Sequence, residues 1–193
     1  MTQPVRVVVA EDEAIIRLDL KEILEEEGYD VVGETGRGDH AIELVRELRP
    51  DLAILDIKMP GMDGLTAART IAGERLAAVL ILTAFSQHDL VDQARDAGAL
   101  AYLVKPFQKS DLIPAIEMAL GRFEQIVSLE HENADLAERL EARKLTDRAK
   151  GRLMDEHGLS ESDAWRFLQR TAMNTRRTIA AVATDVIAGI LGP

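Results

Sequence analysis

The chain has 193 residues, 47% hydrophobic and 30% charged, with a net charge of −11 and no cysteine. These totals fit one full domain plus a smaller module, and they exclude disulfides, thiol catalysis and cysteine-based zinc sites. No apolar run approaches the roughly 20 residues of a membrane span, and MTQPVRVVVAEDE passes straight into a strand-like run rather than a signal peptide, so a cytoplasmic protein without membrane attachment is expected.

The first strand is read at residues 5–10 (VRVVVA), and it runs into three consecutive acids, Glu11, Asp12 and Glu13. A helix follows, with Ile15, Ile16, Leu18, Leu20, Ile23 and Leu24 as its apolar face and Gly28 as its stop. A second strand is placed at 29–34 and a second helix at 39–48, closed by Arg49-Pro50. Residues 52–55 (LAIL) are apolar on both alternating faces, as in a buried parallel strand, and they end in a lone carboxylate, Asp56. Pro60, Gly61 and Gly64 punctuate the turn into a helix at 65–72. A strand at 78–83 (AVLILT), a helix at 87–97 and a strand at 100–104 complete the series, before Lys105-Pro106-Phe107 and Ser110 as a candidate helix cap. Strands alternating with helices in this way demand parallel pairing through crossovers, hence an α/β doubly wound five-stranded parallel sheet.

The fifth helix is expected to continue past the domain, from 111 to about 142. A heptad reading sets Leu112, Ala119, Ile126, Asn133 and Leu140 at one seam position and Ala115, Leu129 and Leu136 at the other, with Arg122 and Arg143 weakening its ends. Asn at an apolar seam fixes register at some cost in stability, so a homodimeric coiled coil through Ile126, Leu129, Asn133, Leu136 and Leu140 is expected, the alternative being an amphipathic connector folded back on the first domain. Three short helices follow. One lies at 145–156. The second starts at Ser160, with Asp163 forming an approximate capping box, and the third is striped by Ile179, Val182, Ala183, Val186 and Ile190. The expected divisions are therefore 1–122, a helical linker 123–141, and a small all-α unit 142–193.

Ligand sites of open α/β sheets lie at the strand C-termini. Here those ends present Glu11 and Asp12, Asp56, Thr83 and Lys105. Clustered carboxylates raise one another's pKa, and a hard divalent cation such as Mg²⁺ resolves that repulsion. With the cation bound, one carboxylate can attack a phosphoryl group as a nucleophile. Lys105 suits a phosphoryl oxygen, Thr83 can hydrogen-bond another, and Pro106 is a candidate cis residue that aims the lysine.

In this order the motifs AED at 10–12, LDIKMPGMDG at 55–64, LTA at 82–84 and YLVKPF at 102–107 resemble those of response-regulator receiver domains. The resemblance implies that Asp56 accepts a phosphoryl group from a histidine kinase, that Glu11, Asp12, Asp56 and the carbonyl of Lys58 bind Mg²⁺, and that Thr83 and Tyr102 are a switch pair. Glu11 stands where such domains often carry Asp, a longer arm that should still reach the cation. Residues 140–187 are similar to the ANTAR domain, an RNA-binding antitermination module, in LEARKLTDRAKGRLM, LSESDAWRFLQRTAM and TRRTIAAVA.

Charge supports that division independently. Residues 1–122 hold 13 basic and 22 acidic side chains, 123–141 hold 1 and 6, and 142–193 hold 9 and 6. Lys144, Arg148 and Arg152 share a helical face, and Lys150, Arg166, Arg170, Arg176 and Arg177 add positive charge for RNA hairpins. Trp165 is expected in the core. His40, His88, His131 and His157 lack metal-ligand spacing and read as surface residues, and Ser86, Ser110 and Ser128 lack a partner base. A phosphorylation-controlled antitermination regulator rather than a metabolic enzyme is the leading reading. A receiver-controlled helix-turn-helix DNA binder and a protein-interaction adaptor are the alternatives.

Overall fold

The computed structural model describes residues 3–84 and 88–193; the helix start expected at Gln87, Ser86 and the His88 side chain lie outside the described residues. Within them the elements are β1 (Arg6–Ala10), α1 (Ala14–Glu26), β2 (Asp30–Thr35), α2 (Gly38–Leu48), β3 (Leu52–Asp56), α3 (Gly64–Gly73), β4 (Ala78–Thr83), α4 (His88–Asp96), β5 (Ala101–Val104), α5 (Lys109–His157), α6 (Glu161–Thr175) and α7 (Ile179–Ile187). The chain forms two compact units, Met1–Ser128 and Leu129–Pro193. No helix among the described residues is long and apolar enough to cross a membrane.

The first unit is a parallel sheet in the order β2-β1-β3-β4-β5. Alternate side chains of a strand point to opposite faces, so each central strand feeds two cores. Val8, Ala10, Ala53, Leu55, Val79 and Ile81 pack with Ala41, Ile42 and Val45 of α2 and Leu65, Ala68 and Ile71 of α3. Val7, Val9, Leu52, Ile54, Leu80 and Leu82 pack on the other face with Leu20 and Leu24 of α1 and Leu112, Ile116 and Ala119 of α5. Both faces of β3 are buried, which is why LAIL shows no polar alternation. Ile15 and Leu18 leave the apolar face assigned to them and are 85% and 57% exposed, because only the α1 side bearing Leu20 and Leu24 meets the sheet.

The long helix differs most from expectation. The separate helix expected at 145–156 is instead the end of α5, one helix of 49 residues. The residues at the expected break, Ala142, Arg143, Lys144 and Leu145, are all strong helix formers, so nothing there ends it. Pro114 lies in its second turn and deprives one carbonyl of its usual amide donor without stopping the helix. Ser110 does not cap α5, which begins one residue earlier; Asp111 accepts the Gln108 amide at 3.0 Å instead.

The second unit packs Ala149 and Leu153 of α5 against Ala164, Leu168 and Ala172 of α6 and Val182, Ala183 and Val186 of α7. Ser160 caps α6 by accepting from the Asp163 amide at 3.2 Å, and Thr178 caps α7 through the Ala181 amide at 3.2 Å. Ile190, expected on the apolar stripe, falls beyond the end of α7 and is 74% exposed.

Candidate functional site

The ends of β1, β3, β4 and β5 converge because the strands are in parallel register: Ala10 pairs with Leu55, Asp56 with Leu82, and Thr83 with Val104. Each polar residue therefore stands within a residue or so of the last rung of the sheet. One carboxylate oxygen from each of Glu11, Asp12 and Asp56 can be chosen so that all three lie within 4.8 Å of one another. Glu11 is fully buried, Asp56 is 5% exposed and Asp12 is open to solvent.

Lys105 reaches this cluster from the far strand. Its Nζ lies 2.5 Å from Glu11 Oε2 and 3.0 Å from Asp56 Oδ1. The Lys105–Pro106 peptide is cis, and the Lys105 amide donates to the Thr83 carbonyl at 2.7 Å. The Lys58 amide donates to Asp56 Oδ2 at 3.1 Å, so both Asp56 oxygens are engaged. Lys105 Nζ is the cationic partner of the buried Glu11 Oε2, which has no further hydrogen-bond donor among the described residues.

Burial pushes the Glu11 carboxyl above its ordinary value, and the nearby charge of Asp56 adds to this; the hydrogen bond and charge of Lys105 oppose it without cancelling it. Burial pulls the Lys105 ammonium down, but hydrogen bonds and charge from Glu11 and Asp56 outweigh it and leave the group raised. The arrangement is one cation among three acids.

Two glycines explain the turn after Asp56. A Cβ at Gly64 would lie 1.9 Å from the Asp56 carbonyl, so the first residue of α3 can touch the end of β3 only as glycine. Gly61 has φ +81°, the left-handed region glycine favours. Asp63 caps α3 by accepting from the Thr66 amide at 2.8 Å. Sequence reasoning passed over Arg17, whose guanidinium hydrogen-bonds the Glu11 carbonyl and faces Glu34 at 3.8 Å. Its position one turn after Glu13, on the helix that follows the acids, was the available signal.

Thr83 is 3% exposed at the end of β4, and Tyr102 on β5 is 47% exposed. His40, His131 and His157 are exposed, as expected.

The cations of the second unit divide into two groups. Lys150 sits between Asp147 at 3.0 Å and Glu161 at 2.9 Å. Arg152 pairs with Glu156 at 2.9 Å and hydrogen-bonds the Ile187 carbonyl, which clamps α5 to the end of α7. Arg177 pairs with Asp185 at 2.6 Å, and Lys144 with Glu141 at 2.7 Å. Arg148, Arg170 and Arg176 are exposed. Trp165 is not the core residue expected: it is 37% exposed, and Phe167 packs against the core instead.

The receiver-domain model for response regulators matches residues 7–117, and the ANTAR-domain model matches residues 134–187. The chain is 58% identical over 184 residues to the transcriptional regulatory protein PdtaR of Mycobacterium tuberculosis, covering 95% of this chain and 90% of that one. It is 38% identical over 112 residues to the chemotaxis protein CheY of Thermotoga maritima, covering 58% of this chain and 93% of that one. Among solved structures, the signal receiver domain of the response regulator NarL from Mycobacterium tuberculosis matches with TM-score 0.59 and 33% identity, covering 62% of this chain and 99% of that one. The CheX–CheY–BeF3–Mg²⁺ complex from Borrelia burgdorferi matches with TM-score 0.55 and 25% identity, covering 58% of this chain and 87% of that one. With the strand-end site and both family matches in one chain, this protein belongs to the response regulators that join a receiver domain to an ANTAR domain.

Proposed function

We propose that Asp56 is the phosphoryl acceptor and that its phosphorylation by a sensor histidine kinase controls RNA binding and transcription antitermination by the C-terminal unit. The observation that carries the first half is the pairing of a nearly buried Asp56 with Lys105 beside a second, fully buried acid. An Asp56 oxygen forms the new P–O bond as the P–N bond to the kinase imidazole breaks, and the imidazole leaves neutral after taking up a proton. Lys105 then turns from carboxylates to a phosphoryl oxygen, a charge-assisted contact.

The donor set fits Mg²⁺: three carboxylates with oxygens within 4.8 Å of one another, two of them sharing the single Lys105 cation. Glu11, Asp12, Asp56 and the Lys58 carbonyl would hold the ion. When bound, it neutralises charge on the phosphoryl oxygens during transfer. The Borrelia complex containing BeF3 and Mg²⁺ supports the same chemistry here. In the switch, the buried Thr83 hydroxyl turns toward the phosphoryl group and the exposed Tyr102 ring turns inward into the space vacated.

For the output, Lys144, Arg148, Lys150, Arg152, Arg170, Arg176 and Arg177 are the candidate contacts to RNA hairpins, supported by the ANTAR match and the relative's name as a transcriptional regulator. Leu129, Leu136 and Leu140 of α5 are 58%, 54% and 54% exposed, which supports a phosphorylation-dependent homodimer through the helix that also carries Ile126 and Asn133. The proposed divisions remain 1–122, 123–141 and 142–193.

The test is incubation of wild type and Asp56→Asn with a labelled phosphodonor and Mg²⁺. The wild type is expected to take up label that Asp56→Asn does not, and chelating the metal should suppress uptake. Equal labelling of both proteins would remove Asp56 from the role.

A further inference from the structure

The second unit contains a groove of about 560 Å³, within the ~300–1,000 Å³ of small-ligand pockets. One side of it is a face of α5 bearing Arg139, Arg143 and Lys150; Trp165 of α6 and the first turn of α7, from Thr178 to Ala180, complete it. Trp165 is the only tryptophan in the chain, and it lines this groove while Phe167 of the same helix packs on the core. The groove also carries Glu138 and Asp147, and Lys150 is occupied by Asp147 and Glu161. Arg139 and Arg143 are exposed one helical turn apart, and neither forms an ion pair among the described residues.

A large aromatic surface beside two uncommitted guanidinium groups is the composition that binds single-stranded nucleic acid: a base stacks on the ring and the cations take the phosphates. The helix-start amides of α7 favour negative charge at the same place. The ligand favoured is therefore both flat and anionic, and a partner protein's apolar side chain would leave the arginines unused.

We propose that this groove is a nucleobase pocket, in which one unpaired base of an RNA hairpin loop stacks on Trp165 while Arg139 and Arg143 hold the flanking phosphates. It rests on the RNA-binding reading above and adds to it a subsite on a different face of α5 from Lys144 and Arg148. In this account the loop base sets which RNA is chosen, and the exposed cations elsewhere supply affinity that depends on salt rather than sequence.

The test uses the full chain and a hairpin RNA recovered by the wild-type protein from a pool with randomised loops. Binding is read for every variant by the anisotropy of end-labelled RNA, stacking is read in the wild type by the intrinsic fluorescence of Trp165, and each loop base is replaced in turn by an abasic site. Saturable quenching is expected, with one abasic position that abolishes it and weakens binding about tenfold, in the range of base–aromatic stacking. Trp165→Ala should weaken binding about as much, with no further loss at that abasic position, while Trp165→Phe retains most of the affinity and keeps the dependence on that base. Arg143→Gln should lower the slope of log affinity against log salt by about one while leaving saturated quenching intact. Circular dichroism verifies that each variant is folded, and the Trp165→Phe and abasic arms decide the matter if Trp165→Ala is not. Hairpin binding without quenching, unchanged in Trp165→Phe and at every abasic position, overturns the pocket and leaves RNA binding standing. Equally tight quenching by a free nucleoside monophosphate also overturns it, in favour of a small ligand. A pool from which nothing is recovered overturns the pocket and the RNA reading together.

Discussion

Lys105 in the first unit and Lys150 in the second each hold a pair of carboxylates. Lys105 lies 2.5 and 3.0 Å from Glu11 and Asp56, and Lys150 lies 3.0 and 2.9 Å from Asp147 and Glu161. The surroundings differ. The acids around Lys105 have side chains 0% and 7% exposed, whereas those around Lys150 are 56% and 71% exposed. Around Lys105 water cannot take the place of a lost partner, so the charges depend on one another. Around Lys150 water screens every pair, and either acid can be exchanged for another anion at little cost. The first arrangement suits a reaction centre, in which position must be fixed before the chemistry starts. The second suits a recognition surface, whose cations are released to a phosphate on binding.

That contrast can be broken by experiment. Lys105→Met leaves Glu11 and Asp56 without their cation, and about 3–5 kcal/mol of stability should be lost in chelator, as when one partner of a buried pair is removed. Added Mg²⁺ should restore part of it, read from urea unfolding with and without the metal. Leu168→Ala empties a fully buried position in the smaller core and should cost about 2–5 kcal/mol. It should abolish hairpin binding while label uptake at Asp56 persists. Loss of both activities would show that the two units do not unfold separately.

Asp63→Ala should cost about 1 kcal/mol, the usual worth of a helix N-cap. The Thr66 amide holds the Asp63 carboxyl below its ordinary 3.8. Its contribution is therefore complete above pH 3.8 and is lost as pH falls through the lower folded value. The stability difference between wild type and Asp63→Ala should accordingly shrink on acidification and stay constant from pH 5 to 8. Lys150→Met should leave the urea midpoint nearly unchanged, as for exposed pairs. If Lys150 exchanges its acids for a phosphate, the same variant lowers the salt slope of RNA binding by about one.

The receiver half was largely legible because its signals depend on burial. LAIL lacks polar alternation since both faces of β3 are covered, and the acids, Thr83 and Lys105 interrupt apolar runs at the strand ends. Gly64 marks a contact no other residue permits. Less was legible in the second half. No residue near Ala142 signalled a helix end, and α5 indeed continues, because only the absence of a breaker carried the information. The basic residues could be counted, but their engagement could not: Arg152 ties α5 to Ile187, a partner 35 positions away. Trp165 and Phe167 lie two positions apart on one helix, and tertiary packing places Phe167 against the core and Trp165 in a groove beside the start of α7.

The central claim is that the state of Asp56 governs RNA binding by the second unit. The direct measurement is the affinity of full-length protein for a two-hairpin RNA at fixed salt, with and without Mg²⁺ and beryllofluoride, for wild type and Asp56→Asn. The account predicts that beryllofluoride changes the wild-type affinity at least tenfold and leaves Asp56→Asn unchanged. An unchanged wild-type affinity, or an equal change in Asp56→Asn, would contradict it.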